Sequence, residues 1–297
     1  MNLAYGSLLF LLAALWGASF LFMKVGVPEF GPIAFMLLRT FIATIVLLPL
    51  LFLRKRMRVF IVHWKELLLV GTFNTAVPFI LFAYATLTLT AGTTSILNAT
   101  TPMFGALIGY VWLKDKLSLQ SIIGLLVGFV GVALLVVGNG GEGSSSHYLP
   151  SLAVLLATAC YGWSANYTKL HLSNVNSVVF ATGSQLAATV VLLPVSLFFI
   201  PDEMPSLNAW YAGIALGVAC TGIAYVIFFK LIENLGPAKA VSVTYLIPFF
   251  GVIWGSIFLG EIITAQVIIG GLVILIGVAM ANEVFSLVRK KPKRKEA

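Results

Sequence analysis

The sequence predicts an all-α integral membrane protein, with ten transmembrane helices arranged as two inverted five-helix repeats around a central cavity. Three observations support this prediction: the composition, the placement of Lys and Arg, and an internal repeat. Of the 297 residues, 60% are hydrophobic and 9% are charged, and the mean hydropathy is +1.04. Soluble domains carry about 25% charged residues because their surfaces face water. Most of the surface of this chain must therefore face hydrocarbon.

Apolar segments of membrane-spanning length follow one another along the whole chain. A helix that crosses a bilayer needs about 20 predominantly apolar residues. The predicted spans are 3–25, 32–53, 66–88, 93–113, 118–137, 150–170, 176–199, 209–232, 238–259 and 264–288. The chain then divides into a first repeat (1–138), a Gly/Ser-rich linker (139–149), a second repeat (150–288) and a basic tail (289–297).

The basic residues predict the orientation of these spans. Loops on the cytoplasmic side of a membrane are enriched in Lys and Arg. With ten spans, sixteen of the eighteen Lys and Arg residues fall on one side, and Lys24 and Arg39 are the exceptions. We therefore expect both termini to be cytoplasmic, in the inner (plasma) membrane of the cell. The basic tail is expected to contact anionic lipid headgroups.

The two halves of the chain match when one is shifted by 145 residues, or by 146 from the third span onward. Matches of Leu or Val occur by chance in so apolar a sequence. Matches of Pro, Lys and Gln in one register are evidence of a repeat. Each half has an odd number of spans, so the halves enter the membrane in opposite directions. Inverted repeats are typical of transporters that work by alternating access. Matched pairs include Gly17 and Gly162, Lys24 and Lys169, Thr75 and Thr221, Pro102 and Pro248, Gly105 and Gly251, and Gln120 and Gln266.

Several other kinds of function find no support in the sequence. The net charge of +8 follows from loop and tail residues, so nucleic acid is not an expected partner. The three histidines lie in loops and form no metal-binding pattern, and Cys160 and Cys220 lie singly in apolar segments. There is no phosphate-binding or nucleophile motif. We expect no metal, no cofactor and no enzymatic activity.

Three prolines within predicted spans are candidate hinges: Pro78, Pro102 and Pro248. Each removes a backbone hydrogen bond, and the freed carbonyl must face protein or a water-filled cavity. A simple packing kink is the alternative for any one of them. The matched pair Pro102 and Pro248 favours a hinge or a cavity wall.

Polar and aromatic residues within spans are candidates for a substrate pocket near the membrane midplane. Amides find no partner in lipid, so they are expected to face the protein interior, where hydrogen bonds between helices are the alternative role. The candidate substrate-binding residues are Trp16, Ser19, Phe20, Arg39, Asn74, Phe79, Asn98, Tyr161, Trp163, Asn166, Tyr225 and Tyr245.

Arg39 is the one ionised residue clearly inside a span, where a charge is costly and commonly functional. It is expected either to extend outward to headgroups and Glu29, or to bind a substrate carboxylate in the cavity. No Asp or Glu lies near the centre of a span. This absence disfavours a proton-coupled exporter of organic cations and favours zwitterionic, anionic or neutral solutes, with protons still a candidate partner.

The chain resembles the ten-helix EamA-type branch of the drug/metabolite transporter superfamily over essentially its whole length. The resemblance rests on Trp16-Gly17-x-Ser19, Lys24 and Arg39, and on duplicated motifs. These motifs are Pro102 with Leu113-Lys114-Asp115, and Pro248 with Leu259-Gly260-Glu261, each followed by a Gly-rich helix. It implies two five-helix bundles around a central cavity. Asp115 stands where the family usually has Glu, a departure that we expect to be neutral.

The resemblance implies a secondary transporter that exports small metabolites, and the residues above favour amino acids or similar solutes. Multidrug efflux by the same fold is the alternative within this class. A membrane scaffold or sensor is the alternative from another class, although it would not need a duplicated polar cavity.

The predicted topology can be tested with reporter fusions after Gly141 and at Ala297. The Lys and Arg asymmetry places these two positions on opposite sides of the membrane. We expect a reporter active only outside the cytoplasm to work at Gly141 alone, and a cytoplasm-specific reporter to work at Ala297 alone. If both positions report the same side, the ten-span topology is wrong.

Overall fold

The computed structural model describes residues 3–139 and 147–282, and within them every regular element is a helix. A short helix, Met57–Val62, precedes the third long one. We number the long helices α1 (Leu3–Phe30), α2 (Pro32–Leu53), α3 (Trp64–Thr86), α4 (Ala91–Leu113), α5 (Leu119–Asn139), α6 (Tyr148–His171), α7 (Ser177–Ser196), α8 (Leu207–Leu235), α9 (segments Pro237–Val241, Ser242–Tyr245 and Ile247–Leu259) and α10 (Ala265–Ala281).

Within the described residues, eight of these helices are long and apolar enough to cross a membrane: α1 to α5 and α7 to α9. α10 is apolar but has only 17 described residues. α6 has 24 residues, but its second half carries Ser164, Asn166, Thr168 and Lys169. The predicted tenth span continues to residue 288, and residues 283–288 lie outside the described part, as do most of the predicted linker and the tail. The structure therefore describes a helical membrane bundle.

Four helices are irregular, at positions that correspond in the two halves. α3 contains a π-helical turn, Thr72–Ala76, and α8 contains another, Val218–Ile223. α4 is interrupted after Asn98 and resumes at Thr101. α9 is interrupted by a 3-10 turn and resumes at Ile247. The shift of 146 residues relates the members of each pair.

The candidate hinge prolines lie where helical segments begin. Pro102 and Pro248 are each the second residue of the segment that follows a break, and Pro78 is the second residue after the π-helical turn of α3. A proline is tolerated at a helix start because its missing N–H would have no intrahelical partner there. The prolines thus mark the restart of each helix after an interruption.

The packing of the long helices is also matched between the halves. α1 packs on α8 and α9, whereas α6, its counterpart, packs on α3 and α4. α2 packs on α7, and α5 packs on α10. Exchanging each helix with the one five positions away leaves this set of neighbours unchanged.

Glycines allow close approach of backbones at the two equivalent contacts. A Cβ on Gly17 in α1 would lie 2.9 Å from the backbone N of Gly251 in α9. A Cβ on Gly162 in α6 would lie 2.6 Å from the backbone N of Gly105 in α4. Small residues at such positions let the backbones of two helices come into contact. In hydrocarbon no hydrophobic effect drives helices together, so this close packing stabilises their association. These contacts fix α1 and α6 beside the interrupted helices.

We expect Gly162→Ala to lower the thermal unfolding midpoint of the detergent-purified protein, whereas Gly105→Ala should change it little. The new methyl group at Gly162 would meet backbone atoms of α4, and such overpacking costs about 1–3 kcal/mol. The methyl group at Gly105 would approach nothing closer than 3.9 Å. Equal midpoints for the two variants would contradict this description of the contact.

Candidate functional site

A cavity of about 410 Å³ lies between the two halves of the bundle. Side chains from α1, α2, α3, α4, α6, α8 and α9 form its wall, so all four irregular helices contribute. Its lining residues are Trp16, Ser19, Phe20, Met23, Arg39, Asn74, Phe79, Phe82, Asn98, Ala99, Thr101, Pro102, Gly105, Tyr161, Gly162, Ala165, Cys220, Tyr225, Val241, Thr244 and Ile247.

Many of the lining residues are related by the internal repeat. A shift of 145 residues takes one lining residue of α1 to a lining residue of α6, and a shift of 146 does the same from α3 to α8 and from α4 to α9. The cavity is therefore built around the boundary between the halves, with equivalent positions of both halves in its wall. These pairs are Trp16 and Tyr161, Phe20 and Ala165, Asn74 and Cys220, Phe79 and Tyr225, Asn98 and Thr244, and Thr101 and Ile247.

Aromatic rings from both halves form part of the wall. Phe82 lies 5.8 Å from Phe20 in an edge-on arrangement and 5.8 Å from Tyr161, centroid to centroid. Trp16 lies edge-on to Tyr225 at 6.3 Å. These centroid distances are within the range that aromatic pairs favour. Because the rings come from both halves, they hold the halves together around a largely apolar space.

Arg39 is the charged residue of this wall. Its side chain is buried, with 7% of the residue exposed, and its Nε donates a hydrogen bond to Thr221 Oγ1 at 3.0 Å. The Thr221 hydroxyl donates in turn to the Leu216 carbonyl at 2.8 Å, so its lone pairs are free to accept from Arg39. The guanidinium carbon lies 3.7 Å from the centre of the Phe79 ring. This stacking and hydrogen bonding hold the guanidinium at the cavity.

Arg39 has no carboxylate partner among the described residues. The ion pairs found there join Arg54 to Glu233 and Lys169 to Asp115. Glu29, the alternative partner considered from the sequence, accepts hydrogen bonds from Ser206 N at 2.5 Å and Ser206 Oγ at 2.8 Å. Arg39 therefore faces the cavity rather than the headgroups, with its charge unpaired by any described acid.

The position equivalent to Arg39 in the second half is Ser184, and the contacts are equivalent as well. Ser184 Oγ lies 2.6 Å from Thr75 Oγ1, just as Arg39 contacts Thr221. The repeat thus preserves the hydroxyl partner and replaces the guanidinium by a small neutral group. The charge of the cavity belongs to the first half alone.

Nine of the twelve candidate substrate-binding residues line this cavity, and three lie elsewhere. Asn166 donates from Nδ2 to the carbonyls of Gly105 and Gly162 at 2.9 Å each, and so joins α6 to α4. Trp163 stacks between Trp112 and Tyr167 on another face of α6. Tyr245 lies in the 3-10 turn of α9 and packs against the main hydrophobic core. Of the candidate hinges, Pro102 lines the cavity, and Pro78 and Pro248 do not.

Sequence reasoning missed several lining residues for an identifiable reason. Cys220 and Ala165 are small and apolar, so residue type alone gave no reason to select them, whereas Thr244 is one of the polar residues within spans. Each is nevertheless the repeat equivalent of a selected residue: Asn74, Phe20 and Asn98 respectively. Met23, Phe82, Ala99, Thr101, Gly105, Gly162, Val241 and Ile247 were also missed. No cluster of His, Cys, Asp or Glu able to hold a metal occurs in the described part of the chain.

Comparisons with known proteins agree with this architecture. The model of the EamA-like transporter family matches residues 4–137 and again 149–282. An uncharacterized transporter, YoaV of Bacillus subtilis, is 26% identical over 275 residues, which cover 92% of this chain and 94% of the relative. A probable terminal-alkyne amino-acid exporter of Streptantibioticus cattleyicolor is 25% identical over 273 residues, which cover 90% and 89%.

A solved crystal structure has the same fold, with a TM-score of 0.67 at 17% sequence identity. The match covers 96% of this chain and 99% of the other. The family model matches each half separately, and the cavity lies between those halves. From these matches, the chain belongs to the EamA-like transporter family of the drug/metabolite transporter superfamily and is a membrane transporter.

Proposed function

We propose that this transporter is a secondary exporter of small metabolites in the inner (plasma) membrane, and that amino acids or similar zwitterionic or neutral solutes are its substrates. The observation that carries the proposal is a cavity between the halves in which a buried guanidinium, Arg39, has no described carboxylate partner. A buried charge is stable only when it is paired and hydrogen-bonded. A substrate carboxylate would supply the missing partner.

Alternating access is proposed from the matched halves. We take the ten long helices as ten spans, and residues 1–138 and 150–288 as the two repeats in opposite orientation, with both termini cytoplasmic. The equivalent π-helical turns, helix interruptions and helix contacts support this arrangement. In inverted-repeat transporters, substrate sites lie where the repeats meet and beside interrupted helices. The cavity occupies that place.

The cavity suits a small organic carboxylate in size and chemistry. Its volume of about 410 Å³ is within the range of sites for small molecules. Arg39 offers N–H donors to the carboxylate, and bidentate pairing with carboxylates is characteristic of Arg. The amides of Asn74 and Asn98 and the hydroxyl of Ser19 offer acceptors for an ammonium group. The name of the Streptantibioticus relative, an amino-acid exporter, supports the same class of substrate.

Multidrug efflux is a second candidate, and the aromatic wall favours it. An aromatic wall would bind apolar molecules of many shapes without requiring a particular polar group on them. The aromatic residues in question are Phe20, Phe79, Phe82, Tyr161 and Tyr225. A drug without a carboxylate would leave Arg39 unpaired, so we prefer the exporter of carboxylate-bearing metabolites. No catalytic role is proposed for any residue of the cavity.

We expect Arg39→Lys to reduce transport of labelled amino acids into proteoliposomes by at least about tenfold, because a hydrogen bond to a charged group contributes about 1.5–3 kcal/mol. Lys keeps the charge but loses the planar fork of donors and the stacking on Phe79. The assay compares amino acids, nucleobases and cationic dyes, with the amount of folded protein measured in the same vesicles.

Arg54→Lys is the matched control, since Arg54 pairs with Glu233 away from the cavity and its side chain is 46% exposed. We expect transport by this variant to stay near that of the parent protein. Near-normal amino-acid transport by Arg39→Lys would remove Arg39 from the site. Transport of cationic dyes in preference to amino acids would favour drug efflux instead.

A further inference from the structure

The carboxylate of Glu261 caps the start of α4 from the other half of the molecule. Its Oε1 accepts a hydrogen bond from the backbone N–H of Ala91 at 2.6 Å, and its Oε2 accepts one from Gly92 at 3.1 Å. The first N–H groups of a helix have no intrahelical partner, and a negative charge is favourable beside them. Nearby, Lys24 Nζ donates to the carbonyls of Thr86 and Leu89 at 2.8 and 3.0 Å. We call this end of the bundle the Glu261 face.

Asp115 is the repeat equivalent of Glu261, and its backbone has the same geometry. The residue before each acid is left-handed, with φ of 60° at Lys114 and 65° at Gly260. The N–H of Asp115 donates to the Gly109 carbonyl at 3.2 Å, and that of Glu261 donates to Gly255 at 3.1 Å. Both acids therefore turn back over a glycine of the preceding helix. We call the end that carries Asp115 the Asp115 face.

The side chains of the two acids nevertheless differ in their partners. Asp115 pairs with Lys169 at 2.9 Å, and both side chains are about half exposed, at 49% and 62%. The residues equivalent to Ala91 and Gly92 are Pro237 and Ala238, at the start of α9. Because Pro237 has no N–H, the hydrogen bond that Glu261 accepts from Ala91 has no counterpart there. Glu261 thus caps the start of α4, whereas the Asp115 carboxylate is paired with Lys169.

The start of α4 is more deeply buried than the equivalent part of α9. Ser95, near the start of α4, is fully buried, and a Cβ on Gly251 would collide with its side chain. Val241, its repeat equivalent near the start of α9, is 47% exposed and lines the cavity. The segment Ala91–Asn98 is buried over nearly all its length, whereas Ser242 beside Val241 is exposed. This difference in burial indicates closer packing at the Glu261 face than at the Asp115 face.

We propose that Glu261 and Asp115 are alternating latches of the transport cycle, each closing its own face by capping the first turn of an interrupted helix in the other half. This proposal rests on the alternating access proposed above and adds the groups that hold each state. In the state described here the Glu261 latch is engaged. In the opposite state Glu261 releases α4, and Asp115 leaves Lys169 to accept the N–H groups at the start of α9.

The two latches are unequal because of two differences in sequence. Pro237 stands where Ala91 provides an N–H, and proline has none to donate. Asp115 also has one methylene fewer than Glu261, so its carboxylate reaches less far. Asp115 therefore accepts fewer hydrogen bonds when engaged, and the state closed at the Glu261 face is favoured without substrate. The Asp115 departure noted in the sequence is then functional rather than neutral.

The test measures the opening of each face through single cysteines, Ser95→Cys or Val241→Cys, in a background carrying Cys160→Ala and Cys220→Ala. The protein is reconstituted in nanodiscs without substrate, and the rate of reaction with a water-soluble maleimide is recorded. We expect Glu261→Gln to raise the rate at Ser95→Cys by about tenfold, the population shift that loss of a charged helix cap produces. The rate at Val241→Cys should fall.

Two further variants separate latch release from misfolding. Gly255→Ala keeps the Glu261 charge but places a methyl group on its Oε2, and we expect it to raise the rate at Ser95→Cys as well. Asp115→Glu lengthens the other latch without touching the Glu261 face, and we expect the same direction of change. Glu203→Gln, an exposed acid in the α7–α8 connection, is the matched control and should leave both rates unchanged.

Unchanged rates at Ser95→Cys in both Glu261→Gln and Asp115→Glu would overturn the latch proposal. Because these rates are measured without substrate, that outcome would leave amino-acid export standing if the parent protein transports amino acids. Conversely, shifted rates in a protein that transports no amino acid would support the latches and contradict the proposed substrate class.

Discussion

Hydrocarbon offers no hydrogen-bond partner, and this constraint explains most of what the fold does with its polar groups. Any backbone or side-chain group that leaves helical hydrogen bonding must face protein or a wet cavity. The π-helical turns and the interrupted helices are found where the two halves meet. Thr221, in the π-helical turn of α8, illustrates the consequence, because its hydroxyl donates to the Leu216 carbonyl and accepts from Arg39. The irregular backbone and the guanidinium are thus stabilised by the same few contacts.

The repeat-equivalent residues of the two halves form the cavity wall, and the residues that differ between the halves give the cavity its charge. Pairs such as Phe79 and Tyr225 give each half a similar aromatic surface, which would suit the proposed alternating access to the cavity. Arg39 has Ser184 as its equivalent, so the charge lies off the axis that relates the halves. A substrate carboxylate held there would keep one partner in both states while the surrounding faces exchange roles. The symmetry between the two halves would then determine the transport movement, and the asymmetric Arg39 would determine which substrate binds.

Much of the fold could be predicted from the sequence because apolar length and Lys/Arg placement act over whole segments. The beginnings and ends of the long helices lie close to the predicted spans, with α1 five residues longer than expected at Phe30. The general region of the cavity followed from polar and aromatic residues in spans. Trp163, Asn166 and Tyr245 show the limit of that reasoning, because helix rotation decides whether a polar residue meets a cavity or another helix. The Asn166 amide, for example, donates hydrogen bonds to two backbone carbonyls instead of lining the cavity.

The matched π-helical turns have a consequence for how these helices tolerate insertions and deletions. A π-helical turn holds one residue more than an α-helical turn, and each residue of an α-helix turns the chain by about 100°. In α3 this wider turn lies before Phe79 and Phe82, so it takes up the extra residue without changing the direction in which the two rings point. A single-residue deletion in Thr72–Ala76 would restore a regular helix and leave both rings near their present direction, whereas a deletion in the α-helical part between this turn and Phe79 would rotate them by about 100°. A change of one residue in length is therefore better tolerated in this turn than in the rest of α3, and the same holds for Val218–Ile223 in α8.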